Sequence, residues 1–306
     1  MLELATKSLD EHPLPLSTVA RSVIRLTANP AVSMRELSRA VSADPGLSGK
    51  LIKMANSAFY AGPEAVTSIT GAVFKLGITA TRSVAMTASV QALFRDGDPD
   101  GLEDRLWRHS LAVGVAARVI AQEAGSSLAE EAFLSGLLHD IAKLLLLQRF
   151  PAVYKPIFKR TLETGEPPLD VEMASMGFTH ADLGAMILER WAFEPAPIGA
   201  IRFHHDPDRV GRYTDTDPAN TDRATRLLAH AVSLANVIAK RLDGTAPTDH
   251  ESPLTNGPTP AFFGFTTEQL DRIIQNVSYR VGDELQVFGQ PDAPIYVSEH
   301  RDHGAD

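Results

Sequence analysis

The segment from Glu131 to Phe150 constrains the fold most, because it reads EAFLSGLLHDIAKLLLLQRF. Its leucines and isoleucine recur at helical spacing, which predicts a buried or nearly buried helix. His139 and Asp140 stand side by side in its middle. A buried ionised carboxylate is costly unless it is paired, hydrogen-bonded or bound to a metal. Either the two residues are a structural acceptor and a satisfied core histidine, or they are metal ligands facing ligands from other helices.

Length and composition limit the classes of protein in which this helix can occur. A chain of 306 residues is long enough for two domains or for one large helical domain. Its N-terminus lacks a basic region followed by an apolar core, and no apolar run approaches a membrane span, so we expect neither a signal peptide nor a membrane contact. The absence of cysteine fits a cytoplasmic protein and leaves His, Asp, Glu and Asn as metal ligands. Such ligands favour iron, manganese or zinc.

The charge distribution argues against nucleic acid as a partner. The net charge is −9, and general nucleic-acid binding depends on neutralising phosphates. The charge is uneven, since residues 1–94 carry a net charge of +3 and the remainder carries −12. We interpret the basic bias of the first part as a solvated face, with a binding surface for an acidic partner as the alternative.

The first part of the chain, residues 1–96, is predicted to form a small helical lobe without a catalytic constellation. An amphipathic helix is expected from Leu14 to Ala28. A capping box over Ser33–Glu36 opens the next helix, and Asp44-Pro45 opens a third. A longer helical stretch follows, and Gly77 is expected to break it into two pieces.

The second part, residues 97–242, is predicted to be a helical bundle packed directly on the first lobe. The connector between them is short and within the usual range for helix–helix connections. Asp222 to Leu242 is predicted as its last long helix. Residues 243–306 are expected to hold a flexible loop over 243–260, one helix from Thr266 to Leu285 and a frayed tail. The predicted fold class is therefore all-α.

Polar residues occupy apolar helical positions at several points after residue 100. Apart from two adjacent pairs, they come from different helices, which is how metal sites in helix bundles are built. Each also has a structural explanation of its own, such as a helix cap or a contact with the helix dipole. The candidates are His109, His139, Asp140, His180, His204, His205 and Asn236.

Three segments carry a resemblance to a known family. The run DPGLSGKLIKMANSAFYAG, the run SITGAVFKLGI soon after it, and GLLHDIAKL resemble the HDOD (HD-related output domain) family in that order. The resemblance covers roughly residues 12 to 240. It implies an all-α bacterial signalling module that is related to the HD and HD-GYP phosphohydrolases and is usually regarded as non-catalytic.

The resemblance also implies a known order of ligand residues along the chain, with which the candidate residues can be compared. HD hydrolases use H…HD…D, and the HD-GYP branch adds a further His and an HH pair. Six of seven positions are retained here, and Asn236 stands where the family carries Asp. The stretch after His205 has no GYP motif. Lys143 matches a lysine common after HD, although an exposed lysine explains it equally well.

These observations leave two main interpretations and a weaker third. The first is a non-catalytic signalling module that contacts signalling proteins and retains a site for one or two divalent metal ions, namely iron, manganese or zinc. The second is a metal-dependent phosphohydrolase of nucleotides or cyclic nucleotides. The third is a metal or oxygen sensor in which occupancy of the site rearranges the lobes. The oligomeric state is not predicted by any feature of the sequence.

Overall fold

The computed structural model describes residues 1–27, 29, 31–60, 62–94, 99–210, 221–243 and 258–288. Within these ranges the chain forms helices and no strands, as the all-α prediction requires. No helix in the described ranges has both the length and the apolar character needed to cross a membrane. The segment 212–218, where the GYP motif is missing, and the tail after residue 288 lie outside the described residues.

The first lobe is built around one long helix, α5, against which α2, α3 and α4 pack. Gly77 interrupts α5 with a φ of 80° and a ψ of 179°, as predicted. The capping box at Ser33–Glu36 and the Asp44 cap are both formed. The helices are α1 (Leu2–Glu11), α2 (Thr18–Thr27), α3 (Met34–Ser42), α4 (Pro45–Ala55) and α5 (Ile69–Gln91).

The predicted start of α2 was wrong, and α1 was not predicted. Helix α2 begins at Thr18 rather than Leu14. Proline disfavours the α conformation in the residue before it, so Pro15 keeps Leu14 out of the helix. Leu14 and Leu16 are buried while Pro13 and Pro15 are exposed, so this segment packs its alternate side chains inward.

The second lobe is arranged around α6, which packs against α7, α13 and the C-terminal helix α15. Helices α5 and α7 also pack together, and α15 contacts α4, so one continuous apolar core joins the two lobes. The helices are α6 (Leu102–Glu123), α7 (Ala129–Leu138), α8 (Ile141–Arg149), α9 (Pro151–Thr164), α10 (Pro168–Met176), α11 (His180–Arg190), α12 (Pro195–Phe203), α13 (Thr221–Leu242), α14 (Pro258–Phe263) and α15 (Thr267–Val287).

The predicted continuous helix over Glu131–Phe150 was wrong, because the chain breaks at His139 and Asp140. Helix α7 ends at Leu138 and α8 begins at Ile141, with Asp140 at φ −107° and ψ 13°. Adjacent residues of an unbroken helix project about 100° apart, so they cannot both face one centre. The break places a carboxylate oxygen of Asp140 3.3 Å from Nε2 of His139.

The C-terminal part of the chain can be compared with the prediction at two points. Residues 258–260 of the predicted loop belong to helix α14, and 244–257 lie outside the described residues. Helix α15 carries the predicted capping box of Thr266 and Gln269.

Candidate metal centre

A close crossing of α6 and α7 sets the position of the first two histidines. A Cβ added to Gly136 would lie 2.7 Å from the carbonyl oxygen of Val113 and 2.9 Å from Cα of Gly114. Only glycine allows the two backbones to approach this closely. The crossing brings His109 on α6 towards His139 at the end of α7, with ring centroids 5.4 Å apart.

Three histidines have Nδ1 engaged by an acceptor. Nδ1 of His139 lies 2.7 Å from the carbonyl oxygen of Gly136, and Nδ1 of His204 lies 2.6 Å from that of Ile201. Nδ1 of His180 lies 2.7 Å from the Glu172 carboxylate. In a neutral ring that donates through Nδ1, the lone pair resides on Nε2. A hydrogen bond to the other ring nitrogen is the usual way in which a metal-binding histidine is held.

The free nitrogens of these rings converge. Nε2 of His180 lies 3.1 Å from Nε2 of His205 and 3.2 Å from Oδ1 of Asp140. Two nitrogens bound tetrahedrally to one zinc ion would be about 3.3 Å apart. His204 lies between the others, with ring centroids 5.1 Å from His139 and 5.4 Å from His180.

The candidate ligand atoms fall into two groups of three, each with all atoms within 4.8 Å of one another. One group is His180, His204 and His205, and the other is His109, His139 and Asp140. This division matches the expectation of one or two metal ions, without fixing their number.

Asn236, the seventh candidate, belongs to a helix that packs against helices of the cluster. It lies on α13, which packs against α6, α7 and α12, the helices that carry or adjoin His109, His139 and His204. Its Oδ1 is buried without a hydrogen-bond partner. The structure therefore brings six of the seven predicted residues together, while a place for Asn236 in the site, like metal ligation itself, stays a prediction.

Asp140 is ionised and paired with a lysine. Burial would raise the pKa of its carboxyl, but neighbouring groups, the Lys143 ammonium among them, outweigh burial and hold that pKa well below its usual range. Nζ of Lys143 lies 2.8 Å from Oδ2 of Asp140. Lys143 is buried, so its interpretation as an exposed solvated lysine was wrong. This ion pair stabilises the carboxylate without a metal, and Oδ1 faces Nε2 of His180 at 3.2 Å.

Burial keeps three of the rings neutral. It lowers the pKa of His139, and it lowers those of His204 and His205 further, where neighbouring histidines add to the effect. His180 differs. Burial and then Lys143 lower its pKa, but Glu172 and Asp140 outweigh them and raise it. Neutral imidazole is the form that binds metal ions.

Glu172 and Tyr154 were missed by the sequence analysis. Glu172 on α10 is 1% exposed, and its carboxylate accepts hydrogen bonds from the backbone N–H of His180 at 2.7 Å and from the Tyr154 hydroxyl at 2.6 Å. No motif marked it, since it lies on a different helix from His180. The only signal was an acidic residue within an apolar segment, VEM, shortly before a histidine.

Lys240 and Asp243 were also missed. Burial is the main cause that lowers the pKa of Lys240, and Lys143 adds to it while Asp140 opposes it. Oδ2 of Asp243 lies 3.8 Å from Nδ1 of His109.

The residues present fit a divalent metal ion. Nε2 of His139 and Nε2 of His204 are buried acceptors without hydrogen-bond partners. Unpaired buried polar atoms are costly, and a cation would satisfy them together. The nitrogen and oxygen donors suit iron, manganese or zinc.

This fold and this arrangement of histidines and an aspartate define a class, the all-helical proteins related to HD phosphohydrolases. The sequence model of the HDOD domain matches residues 14–207, more than half of the chain. The chain belongs to the HDOD family.

Solved structures with the same fold come from several bacteria. A candidate phosphohydrolase from Shewanella amazonensis is 25% identical with a TM-score of 0.71, covering 94% of this chain and 97% of its own. An HDOD domain protein of unknown function from Geobacter sulfurreducens is 22% identical with a TM-score of 0.73 and the same coverage. A candidate signal transduction protein from Marinobacter aquaeolei is 23% identical with a TM-score of 0.70, covering 95% of this chain and 65% of its own.

A longer relative was found among curated proteins. An uncharacterised protein of Treponema pallidum is 26% identical over 243 residues, which are 78% of this chain and 44% of the relative. The chain thus spans less than half the length of that protein.

Proposed function

We propose that this chain is a non-catalytic regulatory HDOD module that acts through contacts with other signalling proteins and holds a divalent metal ion in the histidine cluster. The observation that carries the proposal is the burial of four of the six clustered candidate ligands, with His109 and His205 only partly buried. His139 and His180 are 0% exposed, His204 is 1% exposed and Asp140 is 3% exposed. A largely buried ligand set is typical of structural metal sites, whereas a catalytic site keeps a position open to substrate.

The bound cation would supply a positive centre that joins elements from separate parts of the second lobe. His139 and Asp140 belong to the α7–α8 junction, while His180 begins α11 and His204 follows α12. Loading of the site would therefore favour one arrangement of these helices. This is the physical basis on which the module could respond to a metal.

Two departures from the hydrolase pattern support the non-catalytic assignment. Asn236 is neutral where the superfamily carries a carboxylate, which lowers the charge available to a second cation. The sequence after His205 carries Asp215 and Asp217 in place of GYP, and these carboxylates would repel a phosphodiester.

The alternative is a metal-dependent phosphohydrolase, and one observation favours it. Nζ of Lys143 lies 2.8 Å from Oδ2 of Asp140, and a positive group beside a metal site can hold a phosphate. The name of the Shewanella structure points the same way for that protein.

Metal analysis separates the proposals when it is combined with an activity measurement. Protein purified without a nickel column should contain iron, manganese or zinc, and His204→Ala should lose it. Hydrolysis of cyclic di-GMP and of a generic phosphodiester should stay at the background given by the free metal. Turnover above that background, abolished in His139→Ala, would establish the hydrolase instead. A metal-free chain that takes up no added cation would contradict the metal site.

A further inference from the structure

A cavity lies at the junction of the two lobes, outside the histidine cluster. It has a volume of about 510 Å³, opens to the surface and is bordered by the end of α1, the segment that joins α1 to α2, α2 itself and the end of α11. Ligand pockets of proteins typically have volumes of roughly 300–1,000 Å³. The residues used below are Leu14, Arg21, Arg25, Arg190, Trp191 and Ala192, all of which line it.

The wall of the cavity is held in place before any ligand binds. Pro13 and Pro15 fix the backbone of the joining segment, and the side chains of Leu14 and Leu16 are buried. The indole N–H of Trp191 donates a hydrogen bond to the carbonyl oxygen of Leu14 at 3.2 Å. A ring and a wall that are already ordered lose little entropy on binding.

The backbone beside the tryptophan is held by the helix-ending turn of α11. Ala192 has a φ of 56° and is the sole residue other than glycine with a positive φ among the described ones. The N–H of Phe193 donates to the carbonyl oxygen of Leu188 at 3.1 Å and the N–H of Ala192 to that of Glu189 at 3.0 Å, so Ala192 closes the end of α11 as a Schellman motif. Ala192 follows directly after Trp191, at the point where α11 ends.

Three guanidinium groups border the cavity. Nε and Nη2 of Arg190 donate to one oxygen of Asp10 at 3.1 and 2.7 Å, which ties α11 to α1. The side chains of Arg21 and Arg25 have neither an ion pair nor a hydrogen bond within the described part of the chain. Both stand on one face of α2, at i and i+4. The basic character of residues 1–94 thus includes two unneutralised charges at a concave site.

We propose that this cavity binds a small ligand that combines a planar ring with a phosphate, the chemistry of a nucleoside monophosphate. The indole of Trp191 offers a face on which a base can stack. Arg21 and Arg25 supply planar donor groups that match phosphate oxygens. The apolar remainder of the wall covers the ring edge, and the volume of the cavity suits a ligand of this size.

This site is separate from the metal centre. His180 begins α11 and Arg190 ends it, so the two sites lie at opposite ends of one helix, about 15 Å apart along its axis. The proposal does not depend on a metal being bound. The ligand-binding proposal can therefore be tested independently of the function proposed above.

Calorimetric titration of the wild-type chain with AMP or GMP tests the proposal directly. We expect saturable binding of the nucleotide and much weaker binding of adenosine, which lacks the charge, and of inorganic phosphate, which lacks the ring. A Trp107→Phe variant leaves Trp191 as the only tryptophan, and its fluorescence should be quenched over the same concentration range. Absence of calorimetric binding, or equal binding of phosphate alone, would overturn the proposal.

Two matched double variants distinguish a specific binding site from general electrostatic attraction of the nucleotide. The double variant Arg21→Gln with Arg25→Gln should weaken nucleotide binding about tenfold or more, because it removes two charged donors. Arg35 and Arg39 have the same i, i+4 spacing on exposed positions of α3 and do not line the cavity. Their replacement by Gln should leave binding unchanged. An equal loss in both double variants would show that only the net charge matters, which would contradict the proposal.

Discussion

The Glu172 carboxylate fixes both the backbone and the ring of His180, since one of its oxygens lies 2.7 Å from the backbone nitrogen and 2.7 Å from Nδ1. Burial would raise the pKa of Glu172, but His180 outweighs burial and lowers it, so the residue is a buried carboxylate. A carboxylate behind a histidine increases the basicity of the other ring nitrogen and sets the orientation of the ring. Glu172 is therefore a positioning residue for the candidate metal centre.

We predict that Glu172→Gln lowers metal affinity by roughly 10- to 100-fold in the folded protein. The amide can still accept one hydrogen bond, but it cannot polarise the His180 ring as a carboxylate does. The affinity should be measured by competition with a chelating dye, well below the melting temperature. Glu163→Gln is the control, because Glu163 is an exposed glutamate on the neighbouring helix α9. Equal affinities in the two variants would show that Glu172 has only a structural role.

The second prediction concerns the break in α5. Gly77 has a φ of 80° and a ψ of 179°, a region that is essentially restricted to glycine, and an added Cβ would meet nothing within 4 Å. Gly77→Ala should therefore cost about 1–3 kcal/mol of unfolding free energy through backbone strain alone. Denaturant unfolding of the metal-free protein measures this cost.

A second glycine provides the control for that measurement. Gly49 lies inside α4 without a positive φ, and a Cβ there would also meet nothing within 4 Å. Gly49→Ala should stabilise the protein by roughly 0.4–1 kcal/mol, because alanine restricts the unfolded chain. Opposite signs for the two variants are expected. A destabilisation of similar size in both would contradict the strain argument.

Much of the fold could be predicted because its signals are local. The caps at Ser33, Asp44 and Thr266 and the break at Gly77 depend on the chemistry of one or a few adjacent residues. The break at His139 was not predictable from periodicity, since both flanking segments are leucine-rich at helical spacing. It depends on contacts of Asp140 with residues distant in sequence, such as His180.

The residues of the candidate site also divide into those that could be predicted from the sequence and those that could not. The histidines could be selected from their positions and from the family order, because both are properties of the sequence. Glu172, Tyr154 and Lys240 act through tertiary contacts that no spacing encodes. The cavity at Trp191 likewise arises from segments more than 170 residues apart, for example where the indole meets Leu14.

The third prediction concerns pH and a histidine outside the cluster. His230 is stacked on Phe262 at a centroid distance of 3.9 Å, and neither ring nitrogen has a hydrogen bond. Burial lowers its pKa from 6.5 to about 4, against the opposing effect of Asp208 at 3.5 Å. The unfolded chain takes up this proton first as the pH falls. The stabilisation due to the neutral ring is therefore complete above pH 6.5 and is lost between pH 6.5 and about 4.

His230→Phe removes this titration while keeping an aromatic ring in the stack. The variant should lose less unfolding free energy than the wild type as the pH is lowered from 6.5 towards 4. Urea unfolding at several pH values measures the two slopes. Some slope should remain, since burial also lowers the pKa values of His139, His204 and His205. Parallel curves for the variant and the wild type would refute the assignment.

The last prediction concerns the Asp140–Lys143 pair in the metal-free protein. Nζ of Lys143 lies 2.8 Å from Oδ2 of Asp140, and both side chains are buried. Asp140→Ala leaves the lysine charge without this partner, and breaking a buried pair in this way costs roughly 3–5 kcal/mol. The double variant Asp140→Ala with Lys143→Met should recover part of that loss, because it also removes the uncompensated charge. Denaturant unfolding with a chelator present gives both values.

Asp100→Ala serves as the surface comparison, since Asp100 pairs with Lys155 and Lys159 at the solvent-exposed edge, where ion pairs contribute little. If the double variant were no more stable than Asp140→Ala, the loss would have to come from the contacts of Asp140 with His139 and His180 instead.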